Sequence, residues 1–132
     1  MHILITGGTG LIGSNLITTL EASSITVLTR NVSKAEKVLG QHVRYLSSLQ
    51  ELDNLDKFDV VVNLAGEPIV DKGWSAKQKS ILQQSRWALT KKLVELIKNS
   101  ETPPACFISG SAIGYYGRQT DTMIDELSLI HI

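Results

Sequence analysis

The stretch Met1–Gly13, "MHILITGGTGLIG", decides the fold of this protein. Its first half, His2–Thr6, is an apolar run of strand length, and its second half places Gly8, Gly10 and Gly13 in the pattern GxGxxG. Apolar residues at helical spacing follow, at Leu11, Ile12, Leu16, Ile17 and Leu20. A strand, a glycine-rich turn and a helix in succession predict the first unit of a dinucleotide-binding sheet.

The glycine-rich turn, Thr6–Gly13, has the chemistry of a pyrophosphate-binding loop. Glycines permit a tight turn and close approach of the backbone to a ligand, and the following helix offers free N–H groups and partial positive charge. No GK[ST] sequence follows, which excludes a P-loop of the Walker type. The alternative is a strand–helix turn that binds no ligand.

Strand and helix patterns alternate along the rest of the chain. Strands are expected at Ile25–Thr29, His42–Leu46, Asp59–Gly66 and Ala105–Ser109. Helices are expected from Ser33, in capping-box spacing with Glu36 and ending at Gly40, and from Ser75, in the same spacing with Gln78. One helical turn and a loop are expected near residues 47–58. The pattern predicts an α/β fold, a doubly wound parallel sheet of five strands with helices on both faces.

Composition indicates an ordinary globular domain and argues against two classes of partner. The 132 residues include 13 basic and 13 acidic side chains, so no basic excess exists to attract nucleic acid or an anionic membrane. No apolar run approaches the length of a membrane span. Cys106 is the only cysteine, which fits a reducing cytoplasm, and its apolar surroundings predict a buried thiol.

The end of the second strand indicates which dinucleotide would bind. An NAD site usually carries an acidic residue there, whereas this chain has Thr29, Arg30 and Asn31. The Arg30 guanidinium is suited to the 2′-phosphate of NADP, although it could instead be a solvated arginine after a strand. NADP is therefore favoured over NAD.

Small residues follow the fourth strand in "NLAG" (Asn63–Gly66). They would let a cofactor lie against the backbone, or they would meet a packing requirement at the end of the strand.

Several motifs in order resemble the extended short-chain dehydrogenase/reductase superfamily, the NAD-dependent epimerase/dehydratase group. The match is closer to its atypical "epimerase family protein" branch, through "ITGGTGLIG", "VLTRN", "NLAGEPI", "SRW" before "KLV", and "SGSAIGYYG". The resemblance covers residues 1–126. It implies cofactor contacts along the loop, at the two following strand ends and on the long helix: Gly7, Gly8, Thr9, Gly10, Leu11, Ile12, Gly13, Thr29, Arg30, Leu64, Ala65, Gly66 and Arg86. By itself, Arg86 could equally be a solvent-facing helix residue.

Only half of the family's catalytic apparatus can be located in this chain. Ser111 matches the superfamily's active-site serine or threonine, whose hydroxyl polarises a substrate oxygen, or it bonds the loop backbone. The tyrosine–lysine pair YxxxK is not formed, because Gln119 follows Tyr115 and Thr120 follows Tyr116 at that spacing. Tyr115 is therefore a weaker catalytic candidate, expected to shape the rim of the site.

The resemblance also implies that the chain is the N-terminal part of a longer protein. Family members are more than twice as long, and their remaining part builds the substrate-binding lobe. Residues 1–126 are expected to form a truncated NADP-binding domain with an exposed edge at the fifth strand, through which copies would self-associate. Leu127–Ile132, "LSLIHI", is expected to be read-through of a sequencing adapter, because CTGTCTCTTATACACATC encodes it in frame. The alternatives are a real apolar C-terminal strand and a short natural frameshift product.

Hydride transfer between NADP(H) and an unknown carbonyl or sugar-like substrate is the expected activity of the longer protein, with the chain itself inactive. The alternative is a non-catalytic NADP-binding protein in which cofactor occupancy regulates a partner. A tyrosine–lysine pair elsewhere in the protein would favour the enzyme.

Overall fold

A computed structural model of the chain describes residues 1–20, 24–66 and 75–110. Three helices and five strands occur there, with a 3₁₀ turn at Leu49–Glu51: β1 His2–Thr6, α1 Leu11–Thr19, β2 Ser24–Leu28, α2 Val32–Leu39, β3 Arg44–Leu46, β4 Val60–Asn63, α3 Ala76–Lys98 and β5 Cys106–Ser109. Ser111, Tyr115 and the segment 127–132 lie outside the described residues.

The five strands form one parallel sheet in the order β3-β2-β1-β4-β5. β1 lies between β2 and β4, so the chain first builds outward in one direction and then crosses to build in the other. Thr6, the last residue of β1, is in register with Leu28 on one side and Asn63 on the other. The predicted doubly wound sheet is confirmed, with its topological switch point between β1 and β4.

Successive residues of β1 supply two separate hydrophobic cores, one on each face of the sheet. Leu4 joins Val61 of β4 and Leu93 of α3 in one core. Ile3 and Ile5 point the other way, into a core that includes residues of α1 and α2. Side chains alternate between faces along a strand, so a strand covered on both faces is apolar along most of its length. This requirement explains the uninterrupted apolar run that begins the chain.

β5 is an edge of the described sheet and is poorly covered. It pairs with β4 on one side, and its side chains are exposed, with Phe107 36% and Ile108 50% accessible. The expectation of a buried Cys106 is wrong, because this thiol is exposed on the same strand. The apolar sequence around Cys106 predicts a strand correctly, but it does not reveal that the strand lies at an edge.

The ends of the helices agree with the sequence except at the start of α2. Ser75 caps α3, its hydroxyl accepting from the Gln78 amide at 3.1 Å, and Gly40 ends α2 with a positive φ of 78°, both as predicted. Ser33, however, lies within α2. Asn31 is the cap: its backbone is extended, and its side-chain oxygen accepts from the Lys34 amide at 2.9 Å.

We expect Asn31→Ala to lower the free energy of unfolding by about 1 kcal/mol, because the first turn of α2 loses its side-chain acceptor. Ser33→Ala is the matched control and should change stability by less than about 0.5 kcal/mol. Urea denaturation without cofactor, followed by circular dichroism, measures both. A larger loss for Ser33→Ala than for Asn31→Ala would contradict the assignment of the cap.

Candidate functional site

The loop between β1 and α1 lies directly on the carboxyl end of β4. Gly7 has a positive φ of 71°, and a Cβ atom there would lie 2.7 Å from the Leu64 carbonyl carbon and 2.8 Å from the Ala65 nitrogen. The Gly10 amide donates to the Gly7 carbonyl at 3.0 Å, which closes the turn. A side chain at residue 7 would separate the loop from β4. The structure thus brings Gly7, Leu64 and Ala65 together, as the predicted site requires.

The other glycines of the loop serve two different purposes. A Cβ at Gly13 would lie 2.5 Å from the Gly7 carbonyl oxygen and 2.7 Å from Gly8 Cα, and one at Gly8 would lie 2.9 Å from a Val27 methyl group. These two glycines allow α1 to pack closely on the loop and the sheet. At Gly10, by contrast, a Cβ would approach only the Gly7 oxygen, at 3.2 Å. Gly10 therefore keeps the outer side of the loop open.

The start of α1 offers backbone donors to a ligand. Gly10 is the N-cap, and no side chain accepts a hydrogen bond there. The first N–H groups of a helix have no partner within the helix, and together with the helix dipole they attract anions. Leu11 and Ile12 stand exposed beside these groups, 83% and 69% accessible. This arrangement of amides and exposed apolar side chains can hold a pyrophosphate and cover part of a dinucleotide.

A buried polar network joins the strand ends beneath the loop. The Thr6 hydroxyl donates to the Asn63 side-chain oxygen at 2.7 Å and accepts from the Ala65 amide at 3.1 Å. The Asn63 side-chain nitrogen donates to the hydroxyls of Thr90 at 3.0 Å and Ser109 at 3.3 Å. Thr6 is fully buried and Asn63 nearly so. The network ties β1, β4, β5 and α3 together at one place, the floor of the crevice.

Sequence reasoning missed this network. The only signal was an asparagine at the end of a strand that otherwise consists of valines. A polar residue in a strand buried on both faces needs hydrogen-bonding partners, but its partners lie 27 to 57 residues away in the chain. Their identity depended on the strand order.

Two arginines stand at this edge of the sheet, as predicted. Arg30 follows β2 and is exposed, while the neighbouring Thr29 hydroxyl accepts from the Asn31 amide at 3.3 Å. Arg86, on α3, has its guanidinium against Gly66: a Cβ on that glycine would lie 2.9 Å from Cζ and 3.0 Å from one terminal nitrogen. Arg86 therefore lies at the carboxyl end of β4, beside the turn that the loop contacts.

The described residues contain no group of three or more metal-ligating side chains and no helix long and apolar enough to cross a membrane. Among the described residues, the groups around the crevice include backbone amides, two guanidinium groups and small residues. Such a set of groups is suited to a phosphate-containing ligand that lies across the switch point.

The fold and the glycine-rich loop define a Rossmann-type dinucleotide-binding protein. Residues 3–130 match the model of the NAD dependent epimerase/dehydratase family. The chain belongs to this family, which confirms the resemblance found in the sequence.

Several proteins are similar to this chain. Protein Rcp of Vibrio cholerae is 40% identical over 116 residues, covering 85% of this chain and 57% of Rcp. The chloroplastic epimerase family protein SDR39U1 homolog of Arabidopsis thaliana is 37% identical over 136 residues, covering 97% of this chain and 39% of the relative. The chain thus spans about two fifths to three fifths of the length of these relatives.

Solved structures of family proteins share the fold. Human epimerase family protein SDR39U1 (isoform 2), crystallised with NADPH, superposes with a TM-score of 0.74 at 27% identity, over 90% of this chain and 39% of the human one. UDP-glucuronic acid 4-epimerase from Bacillus cereus, in complex with UDP-glucuronic acid and NAD, gives a TM-score of 0.74 at 23% identity, over 96% and 44%. The second likeness concerns the fold alone. A nicotinamide dinucleotide is thus the type of cofactor that this fold accommodates in both structures.

Substitutions at the two kinds of glycine in the loop should differ in their effect on the stability of the ligand-free protein. Gly13→Ala should lower the free energy of unfolding by about 1–3 kcal/mol, because its methyl group meets backbone atoms that cannot move aside. Gly10→Ser should cost less than Gly13→Ala, since serine is a preferred N-cap and its Cβ meets only one atom, the Gly7 carbonyl oxygen at 3.2 Å. Urea denaturation of both variants tests this. Equal losses would show that Gly10 is also a packing position.

Proposed function

We propose that this protein binds NADP(H) across the switch point, and that the whole protein transfers hydride between NADP(H) and a carbonyl or sugar-like substrate. The observation that carries the proposal is the loop lying on the end of β4, with Arg30 at the end of β2 where NAD-binding proteins usually carry an acid. The NADPH found with the human relative supports the choice of cofactor.

Several described residues of the predicted site have specific roles in this proposal. The amides of the loop and of the first turn of α1 hold the pyrophosphate, and Arg30 pairs with the 2′-phosphate beside Thr29. Leu64, Ala65 and Gly66 line the opposite wall of the crevice. When bound, the nicotinamide supplies the hydride chemistry, and the protein's part is to position it.

Ser111 is proposed to polarise a substrate oxygen, with Tyr115 at the rim of the site. Ser111 directly follows Gly110, whose amide donates to the Asn63 carbonyl at 3.0 Å and so anchors the end of β5 to the crevice floor. We place the protein in the cytoplasm, in keeping with its single cysteine.

A non-catalytic NADP-binding regulator is the second candidate function. It would be favoured if the whole protein lacked a tyrosine–lysine pair at the family's spacing, and neither Tyr115 nor Tyr116 forms such a pair. In this case cofactor occupancy would control a partner, and the crevice residues would have the same binding roles. Activity of the whole protein on carbonyl compounds, measured as NADPH oxidation, separates the two candidates.

The cofactor preference should depend on Arg30. We expect NADPH to bind more tightly than NADH, and Arg30→Ala to weaken NADPH binding by roughly 10-fold or more while leaving NADH binding nearly unchanged, because a charge-assisted contact to the 2′-phosphate is lost. Fluorescence titration with both cofactors measures this.

Two further variants complete the cofactor titration. Arg44→Ala removes an exposed arginine from β3 and should leave both affinities unchanged. Gly10→Val should abolish binding of both cofactors with an unchanged far-ultraviolet circular dichroism spectrum, since its side chain occupies the space of the pyrophosphate. Equal affinities of the wild-type protein for NADPH and NADH would overturn the NADP assignment.

The edge at β5 is proposed to cause self-association of the 132-residue chain. An exposed edge strand with apolar flanks pairs readily with another chain, and Ile108 is half exposed there. We expect size-exclusion chromatography with light scattering to give a mass above 14.5 kDa, and Ile108→Lys to restore the monomer. Val38→Lys, an equal charge change at an exposed position of α2, is the control and should leave association unchanged. A monomeric wild-type chain would contradict this.

A further inference from the structure

We propose that Gly66 and Arg86 form a recognition pair, in which the absence of a side chain at Gly66 seats the Arg86 guanidinium where it binds the pyrophosphate of the dinucleotide. Arg86 is the binding residue and Gly66 the positioning residue. The inference rests on the proposed cofactor function and assigns a specific part of the cofactor to a specific cation.

The position of the Arg86 guanidinium is set by its close contact with the Gly66 backbone. A Cβ at Gly66 would lie 2.9, 3.0 and 3.1 Å from Cζ, one terminal nitrogen and Nε of Arg86. All three distances are shorter than ordinary van der Waals contact, and all three atoms belong to the guanidinium. An alanine at this position would therefore displace the charged group itself and leave the backbone in place.

The polar network of the crevice floor fixes the helix that carries Arg86. Thr90 is one helical turn after Arg86, on the same face of α3, and its hydroxyl accepts from Asn63 of β4 at 3.0 Å. The two contacts occur in order along the chain. Thr90 contacts Asn63 at the end of β4, and Arg86 contacts Gly66, three residues after Asn63. α3 therefore holds Arg86 at a fixed position beyond the end of β4.

The position of the guanidinium points to the pyrophosphate as its ligand. Gly7 of the loop is in contact with Leu64 and Ala65, and Gly66 is the next residue. The guanidinium thus lies against the residue that directly follows the two residues contacted by the loop. A planar guanidinium binds phosphate oxygens with two parallel hydrogen bonds. Arg30 serves the far end of the cofactor, at β2, so the two arginines would recognise different phosphates.

This division of roles predicts different patterns of cofactor affinity. The pyrophosphate is common to NADPH and NADH, so Arg86→Ala should weaken the binding of both by a similar factor, about 10-fold or more. Arg30→Ala should affect NADPH alone. Loss of one phosphate-binding cation should also make NADH binding less dependent on salt concentration.

A double-mutant cycle tests whether Gly66 acts through Arg86. Gly66→Ala is expected to weaken NADPH and NADH binding several-fold in the wild-type background and by less than about 2-fold in the Arg86→Ala background, because a residue that acts through another has no effect once that other is removed. Gly66 has no positive φ, so alanine is allowed by its backbone. Thermal denaturation without cofactor should show Gly66→Ala folded and nearly as stable as the wild type.

Gly110→Ala is the matched control. It adds the same methyl group at the end of the neighbouring strand, where the nearest atoms are an Asn63 oxygen at 3.7 Å and a Leu64 methyl carbon at 3.8 Å. Its cofactor affinities should be those of the wild type. A loss at Gly110 equal to that at Gly66 would show that any methyl group at this edge interferes, and would overturn the pairing.

The outcomes separate this inference from the proposed function. Wild-type binding of NADPH with equal effects of Gly66→Ala in both backgrounds overturns the pair and leaves the cofactor assignment intact. Weakening of NADPH alone by Arg86→Ala places the guanidinium at the 2′-phosphate and also overturns the inference. Coupled losses for both cofactors without any preference for NADPH support the pair and overturn only the role of Arg30. A wild-type protein that binds neither cofactor overturns both.

Discussion

The hydrogen bond between the Thr6 hydroxyl and the Asn63 side chain joins the two central strands at the point where both end. Both groups are buried, and a buried polar group left without a partner costs about 1–3 kcal/mol. The same Thr6 oxygen holds the Ala65 amide, and the same Asn63 amide group reaches α3 and β5. Four elements therefore meet at one connected set of hydrogen-bonding groups.

This polar junction lies at the edge of an otherwise apolar sheet. Below it, β1 and β4 are covered on both faces by hydrophobic cores that involve the helices. Above it the strands have ended, and the backbone of the glycine-rich loop lies on the turn after β4. A crevice at this position has rigid walls, because both sides continue directly from strands that the network holds in register.

Electrostatics give the crevice its chemical character although the chain as a whole is neutral. Its 13 basic and 13 acidic residues cancel, yet the partial positive charge of the start of α1 and the charges of Arg30 and Arg86 occur at the same edge of the sheet. The neutral total gives no basic excess for nonspecific binding to polyanions, and it is compatible with a local anion site. The placement of charge by the fold, and not its total amount, is what suits this edge to a dinucleotide.

The sequence by itself determined the fold class, the number of strands and their succession along the chain, the glycine-rich loop and the likeness to the family, because these depend on local patterns: apolar runs, helical spacing and glycines next to a strand. The doubly wound order that it predicted also brings the ends of β1 and β4 together, so that Gly7 contacts Leu64 and Ala65. Local patterns did not distinguish Asn31 from Ser33 as the cap of α2, because both residue types serve as caps and only the backbone geometry separates them. The exposure of Cys106, the network around Asn63 and the contact of Arg86 with Gly66 were decided by the tertiary structure. Each depends on which residues far apart in the chain become neighbours, and the strand order and the packing of α3 set those distances.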